Sequence, residues 1–137
     1  MSASRLLSQK EDRELSAKYA THPSKEEAVL VSSFDPALLA RARRLAPELA
    51  RAVLVEPPAE PPAVLDLCRR LEAAAIHPER TLVTADLVAA AHADDRRVFP
   101  WTVNAPDEIR RLIGIGVDGV ITDDPATART VVDALDF

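Results

Sequence analysis

The chain repeats one short phrase, and that repeat restricts its fold more than any other feature. Each time, a few apolar residues lead to a polar residue able to cap a helix, and an apolar stripe at helical spacing follows. The strand ends fall near Phe34, Glu56, His77, Asn104 and Asp123, which are 22, 21, 27 and 19 residues apart. Each interval holds one helix and its connections, so consecutive strands run parallel through helical crossovers. The expected result is an α/β fold, a parallel sheet covered by helices.

Local chemistry marks the helix starts. At Asp35-Pro36 the carboxylate accepts free backbone N–H groups of the first turn, and proline has no N–H to lose there. Leu38, Leu39, Ala42, Leu45 and Ala46 then form one apolar stripe. Asp124-Pro125 repeats the device ahead of Ala128, Val131, Val132 and Leu135. Pro106 opens a helix with Asp107 and Glu108 favourably placed against the helix dipole, and Ile109, Leu112 and Ile113 on its buried side. Thr84 caps a helix carrying Leu87, Val88 and Ala91. The proline-dense segment from Glu56 to Pro62 predicts a loop on the functional rim, followed by a helix with Val64, Leu67, Cys68 and Leu71 on one face.

Composition narrows the function classes. With 47% hydrophobic and 28% charged residues, the chain has the material for a globular core. A formal charge of −5 disfavours binding to a nucleic-acid backbone. The single cysteine, Cys68, can form no intramolecular disulfide and is expected as a buried thiol. No apolar run approaches the roughly 18 residues of a membrane span, and Met1 to Glu14 lack the apolar stretch of a secretory signal. The cytoplasm is therefore the expected location.

Four segments, in order, resemble the glycerophosphodiester phosphodiesterase family. They are Val29-Leu30-Val31-Ser32-Ser33-Phe34-Asp35-Pro36 with the following Leu45-Ala46-Pro47-Glu48-Leu49; Ile76-His77-Pro78; Val98-Phe99-Pro100-Trp101-Thr102-Val103-Asn104; and Gly116-Val117-Asp118-Gly119-Val120-Ile121-Thr122-Asp123-Asp124-Pro125. The resemblance implies strands four to eight of a TIM barrel, so the expected fold is a partial (β/α)8 barrel of about five βα units. A complete barrel takes about 250 residues, which a chain of 137 cannot supply. Residues 28–137 are assigned to this barrel part. Residues 1–27 form an N-terminal helical arm or remnant, with Leu6, Leu7, Leu15 and Tyr19 available to a helix.

The family's activity is hydrolysis of glycerophosphodiesters to glycerol 3-phosphate and an alcohol. The resemblance implies a divalent cation, calcium or magnesium, held by carboxylates, with two histidines as general acid and base. It places these groups in a His-Arg-Gly motif, an acidic pair, a His-Asp and a Glu on the first three strands. The chain has no His-Arg or His-Asp dipeptide, since His22 and His77 precede proline and His92 precedes alanine. No cation is expected to bind, and the chain is expected to be catalytically incomplete. The alternative is a non-catalytic module of the same fold that binds a ligand or a partner.

Substrate-binding candidates follow from the same resemblance. Phe34 and Trp101 occupy positions of apolar walls against the glycerol or alcohol moiety, unless both are packed core aromatics. His77 ends a strand at the rim and either contacts a phosphate or serves as a hydrogen-bonded structural residue. Asp123 and Asp124 are read as capping residues rather than a metal pair, because adjacent residues point apart. Asn104 orients a loop or caps the next helix. Ser32 and Ser33 lack the flanking glycines of a nucleophile elbow. Pro100 removes one ladder donor from its strand. Two open sheet edges and an exposed apolar inner face would make the chain self-associate, unless the N-terminal arm covers one edge.

Overall fold

The computed structural model describes residues 6–7 and 29–135. In chain order they form β1 (Leu6–Leu7), β2 (Leu30–Ser33), α1 (Pro36–Leu45), β3 (Ala50–Val55), α2 (Pro61–Leu71), β4 (Ala75–Pro78), a 3-10 turn (Arg80–Leu82), α3 (Ala85–Ala93), β5 (Arg97–Val98), α4 (Pro106–Ile115), β6 (Val120–Ile121) and α5 (Pro125–Ala134). The helix expected around Leu15 and Tyr19 lies outside the described residues. Leu6 and Leu7, read above as helical, form a strand instead.

Strands β2, β3, β4 and β5 lie side by side in sequence order, and every pairing is parallel. Backbone bonds carry the array on to β6: Val103 N–H donates to the Ile121 carbonyl at 2.9 Å and Ile121 N–H to the Pro100 carbonyl at 2.8 Å. Pro100 does shorten its strand, because regular pairing stops at Val98. The ladder toward β4 nevertheless continues through Phe99 N–H to Ile76 O and Trp101 N–H to Pro78 O. The lost donor therefore faces the β6 side only.

One of the two edges is covered by the N-terminal segment, the alternative to two open ones. β1 pairs antiparallel with β6, Leu6 opposite Ile121 and Leu7 opposite Val120, and occupies that edge. Among the described residues the array then ends in β2 on one side and in the two-residue β1 on the other. The inner face is also covered rather than exposed. Ala52, Ala75, Phe99 and Ile121 are all buried there, with Leu30 and Trp101 packed against them.

Alternation along each strand separates two layers. In β3, Val53 and Val55 turn to the helices while Ala52 turns to the opposite face. The helix side holds the main core, including Leu39, Leu65, Cys68, Ile76, Val98, Ile109 and Leu112. Each fully buried Leu or Ile contributes on the order of 1.5–3 kcal/mol, so this layer supplies most of the stability. Burial pushes the Cys68 thiol up to about 11, which keeps it protonated and unreactive at neutral pH.

The capping residues act as their chemistry dictates. Ala37 N–H donates to Asp35 Oδ1 at 2.9 Å, Leu87 N–H to Thr84 Oγ1 at 3.1 Å, and Thr127 N–H to Asp124 Oδ1 at 3.1 Å. Hydrogen bonds from Thr127 hold the Asp124 carboxyl below the usual carboxylate range. The loop after β3 is shorter than the prolines suggested. Pro61 and Pro62 lie in the first turn of α2, where their missing N–H groups have no intrahelical acceptor. Gly116 closes α4 at φ 113°, a left-handed position that disfavours a side chain.

Candidate functional site

Parallel strands with helical crossovers bring all their C-terminal ends to one rim, so residues far apart in sequence meet there. Phe34 follows β2, His77 lies in β4, and Trp101 follows the short β5. The structure brings all three together. The Phe34 and Trp101 rings meet edge to face, with centroids 5.7 Å apart and planes at 85°. Trp101 Nε1–H donates to the His77 carbonyl at 2.7 Å. The His77 ring stands edge to face on Phe99, also at 5.7 Å.

The three residues differ in exposure. Phe34 is 48% exposed, Trp101 half-buried, and His77 only 2% exposed. The Phe34 ring is thus open to water yet packed edge to face against the indole. The indole is held by its N–H and therefore cannot turn freely. Phe34 and Trp101 are thus neither plain core nor loose surface.

His77 has Ser32 as its side-chain partner. Its Nδ1 lies 2.9 Å from Ser32 Oγ. The register explains the meeting: Ser32 sits opposite Ala52 and His77 opposite Leu54 on the intervening strand, so both side chains share the inner face above a small residue. His77 Nε2 is buried and without a hydrogen-bond partner. Burial pushes the imidazole down to about 4, so it is neutral at physiological pH. With no carboxylate on Nε2 and so low a basicity, Ser32 and His77 do not make an activated nucleophile.

A second polar group braces the other side of the rim. Asn104 Oδ1 accepts from Thr122 Oγ1 at 2.9 Å and from Asp123 N–H at 3.0 Å, while its Nδ2 donates to Asp123 Oδ2 at 3.2 Å. Asn104 therefore orients the loop after β6, and the helix that follows it is capped at Ala105 without a side chain. Asp123 is tied to Asn104 and Asp124 to Thr127, so the two carboxylates serve separate partners. Farther along the rim, Arg80 Nη1 donates to both carboxylate oxygens of Glu108 at 3.1 and 2.8 Å.

One cleft adjoins the cluster. It has a volume of about 510 Å³ and lies between Phe34, the end of β3, the loop after it and the start of α2. Its walls are mostly apolar, and Glu56 and Glu60 stand among them.

Five parallel βα steps with aromatic and polar groups gathered at the strands' C-terminal rim define a partial (β/α)8 barrel. Its arc resembles that of a phosphodiesterase from Oleispira antarctica solved in complex with the product sn-glycerol-3-phosphate, with a TM-score of 0.73 and 25% identity over 90% of this chain and 52% of that one. In sequence, the chain is 36% identical over 107 residues to a glycerophosphodiester phosphodiesterase of Caldanaerobacter subterraneus, covering 78% of this chain and 43% of the relative. It is also 36% identical over 105 residues to one of Bacillus altitudinis, covering 75% and 42%. Residues 3–127 match the glycerophosphoryl diester phosphodiesterase family, and the chain belongs to it. It spans less than half the length of these two relatives.

The resemblance implies a divalent cation held by carboxylates, and the described residues do not fit one. Among the described residues no three His, Cys, Asp or Glu side chains are grouped so as to hold a metal ion. No described helix is long and apolar enough to cross a membrane.

Proposed function

We propose that this chain is the substrate-facing part of a glycerophosphodiester phosphodiesterase barrel, which holds a glycerol-phosphate group against Phe34, Trp101 and His77 and does not hydrolyse the diester by itself. The observation that carries this reading is the fixed edge-to-face contact of Phe34 and Trp101 at the rim, joined to His77 through the indole N–H. The apolar ring faces suit the carbon skeleton of glycerol. His77 lies directly beneath this pair, its carbonyl holding the indole and its Nε2 buried without a partner. The Oleispira relative carries glycerol 3-phosphate on a barrel of the same kind, which supports the ligand class. Residues 28–137 supply the ligand-binding unit in this reading, and the setting is cytoplasmic.

Calorimetric titration with glycerol 3-phosphate tests this. The native chain is expected to bind saturably, and Phe34→Ala to weaken binding about tenfold, the scale of one lost aromatic contact. Binding that is unchanged in both Phe34→Ala and His77→Gln would refute the assignment.

A second reading has its own observation. Val29, Leu38 and Leu45 are exposed beside the unpaired β2 edge, and Leu45 is 77% exposed. Such a face favours self-association. Sedimentation equilibrium is expected to give a mass above one chain, reduced by Leu38→Glu. A single-chain mass at all concentrations would exclude it.

A further inference from the structure

We propose that Ser32 is a positioning residue for the aromatic rim: acting through the His77 ring, it fixes where the Trp101 indole stands and so sets the wall that Trp101 and Phe34 form together. The use of that wall rests on the glycerol-phosphate reading, while the positioning is a property of the ligand-free chain. Four side chains close a circuit. Ser32 Oγ meets His77 Nδ1 at 2.9 Å, the His77 carbonyl accepts the Trp101 Nε1–H at 2.7 Å, and the Trp101 ring meets Phe34, two residues beyond Ser32, at 5.7 Å.

The circuit joins strands that are not neighbours in the sheet. Among the described residues β2 pairs with β3 alone, yet the Ser32–His77 bond crosses β3 beside the small Ala52 and reaches β4. An outermost strand is thereby tied to the strand that holds the indole. The tie matters because the imidazole has no second hydrogen bond. His77 is 2% exposed, its Nε2 has no partner, and its remaining ring contact is the apolar edge-to-face packing on Phe99. Removing the Ser32 hydroxyl leaves both buried ring nitrogens without a protein partner, a state that a polar group relieves by turning toward water. Water lies on the rim side, where Trp101 is half-buried and Phe34 exposed. An imidazole turned that way presses on the indole above it and parts Trp101 from Phe34.

NMR of the full chain, without ligand, is the test. Trp101 is the only tryptophan, so its indole Nε1–H gives a single resonance. In Ser32→Ala this resonance is expected to move upfield and exchange faster with water, and the nuclear Overhauser contact between the Phe34 and Trp101 rings to weaken. Ser32→Thr keeps the hydroxyl and should restore both signals. Ser32→Cys, a weaker donor of similar size, should move the resonance the same way by less, and gives the answer even if the alanine variant does not fold. Val31→Ala is the control for a merely weakened β2, because Val31 packs on the helix side of the sheet, and it should leave the indole resonance in place. An indole signal unchanged in Ser32→Ala and Ser32→Cys, or moved equally by Val31→Ala, would overturn the proposal. Glycerol 3-phosphate is then added, and Ser32→Ala is expected to bind about fivefold more weakly than the native chain, the scale of one lost hydrogen bond. Absence of binding by the native chain refutes the glycerol-phosphate reading and leaves the ligand-free result standing.

Discussion

Replacing Arg51 by Met is expected to lower the free energy of unfolding by about 3 kcal/mol, more than any surface substitution in this chain. Arg51 is a strand residue with only 5% exposure. Its guanidinium donates from Nε to the Leu71 carbonyl at 3.0 Å, from Nη1 to Leu49 O at 2.9 Å, and from Nη2 to Glu72 O at 3.2 Å. A longer contact reaches Pro47 O at 3.4 Å. Leu71 and Glu72 end α2, so the charge rests on the negative end of a helix and satisfies carbonyls that the helix leaves without partners.

Met fills a similar volume, which keeps the cavity term small. What remains is the loss of several bonds from a charged donor to buried acceptors, each worth roughly 1.5–3 kcal/mol before relaxation. Lysine would restore the charge but not the planar fork, and should recover only part of the loss. Urea denaturation of Arg51→Met and the native chain decides the matter. A difference within about 0.5 kcal/mol, the range of ordinary surface changes, would show that the carbonyls find other partners.

Acidification is the second large effect. The His77 imidazole is held at about 4 by burial, against 6.5 for the unperturbed group. Between these values the unfolded chain takes up a proton that the folded chain refuses. Stability from this source is therefore complete above pH 6.5 and falls as pH drops, reaching a loss of about 3 kcal/mol near pH 4. His77→Gln removes the titrating group and should flatten that part of the curve.

Asp124 acts in a different window. Its carboxyl is held low by Thr127, so its contribution is lost only as pH falls below the ordinary carboxylate range. The two effects separate on a plot of stability against pH. An unchanged slope between pH 6.5 and 4 in His77→Gln would show that the imidazole is not the source.

These effects mark the boundary of what the sequence discloses. Asp35, Thr84 and Asp124 could be read as caps because a cap is a contact between neighbours, decided within a few residues. Phe34, His77 and Trp101 could be placed on one rim because regular βα spacing and parallel strands align the strand ends, and the family resemblance singled out those positions.

Arg51 could not be found that way. Its acceptors belong to the loop before its own strand and to the end of the next helix, and an arginine in a strand reads as a solvent-facing charge. The pairing of Ser32 with His77 spans 45 residues and depends on strand register. Pro61 and Pro62 suggested a break because proline disrupts a helix interior, yet in a first turn the same residue starts one. The strand at Leu6–Leu7 and its antiparallel place beside β6 follow from tertiary pairing, which two leucines alone do not specify.

The central claim is that this chain carries the substrate-facing rim of its family's barrel without the groups that perform hydrolysis. The direct test is release of glycerol 3-phosphate from glycerophosphocholine by the purified chain, shown to be folded, with calcium or magnesium and a chelator control. No release above the chelator control, together with saturable binding of glycerol 3-phosphate, is the predicted result. Metal-dependent turnover by the folded chain would contradict it.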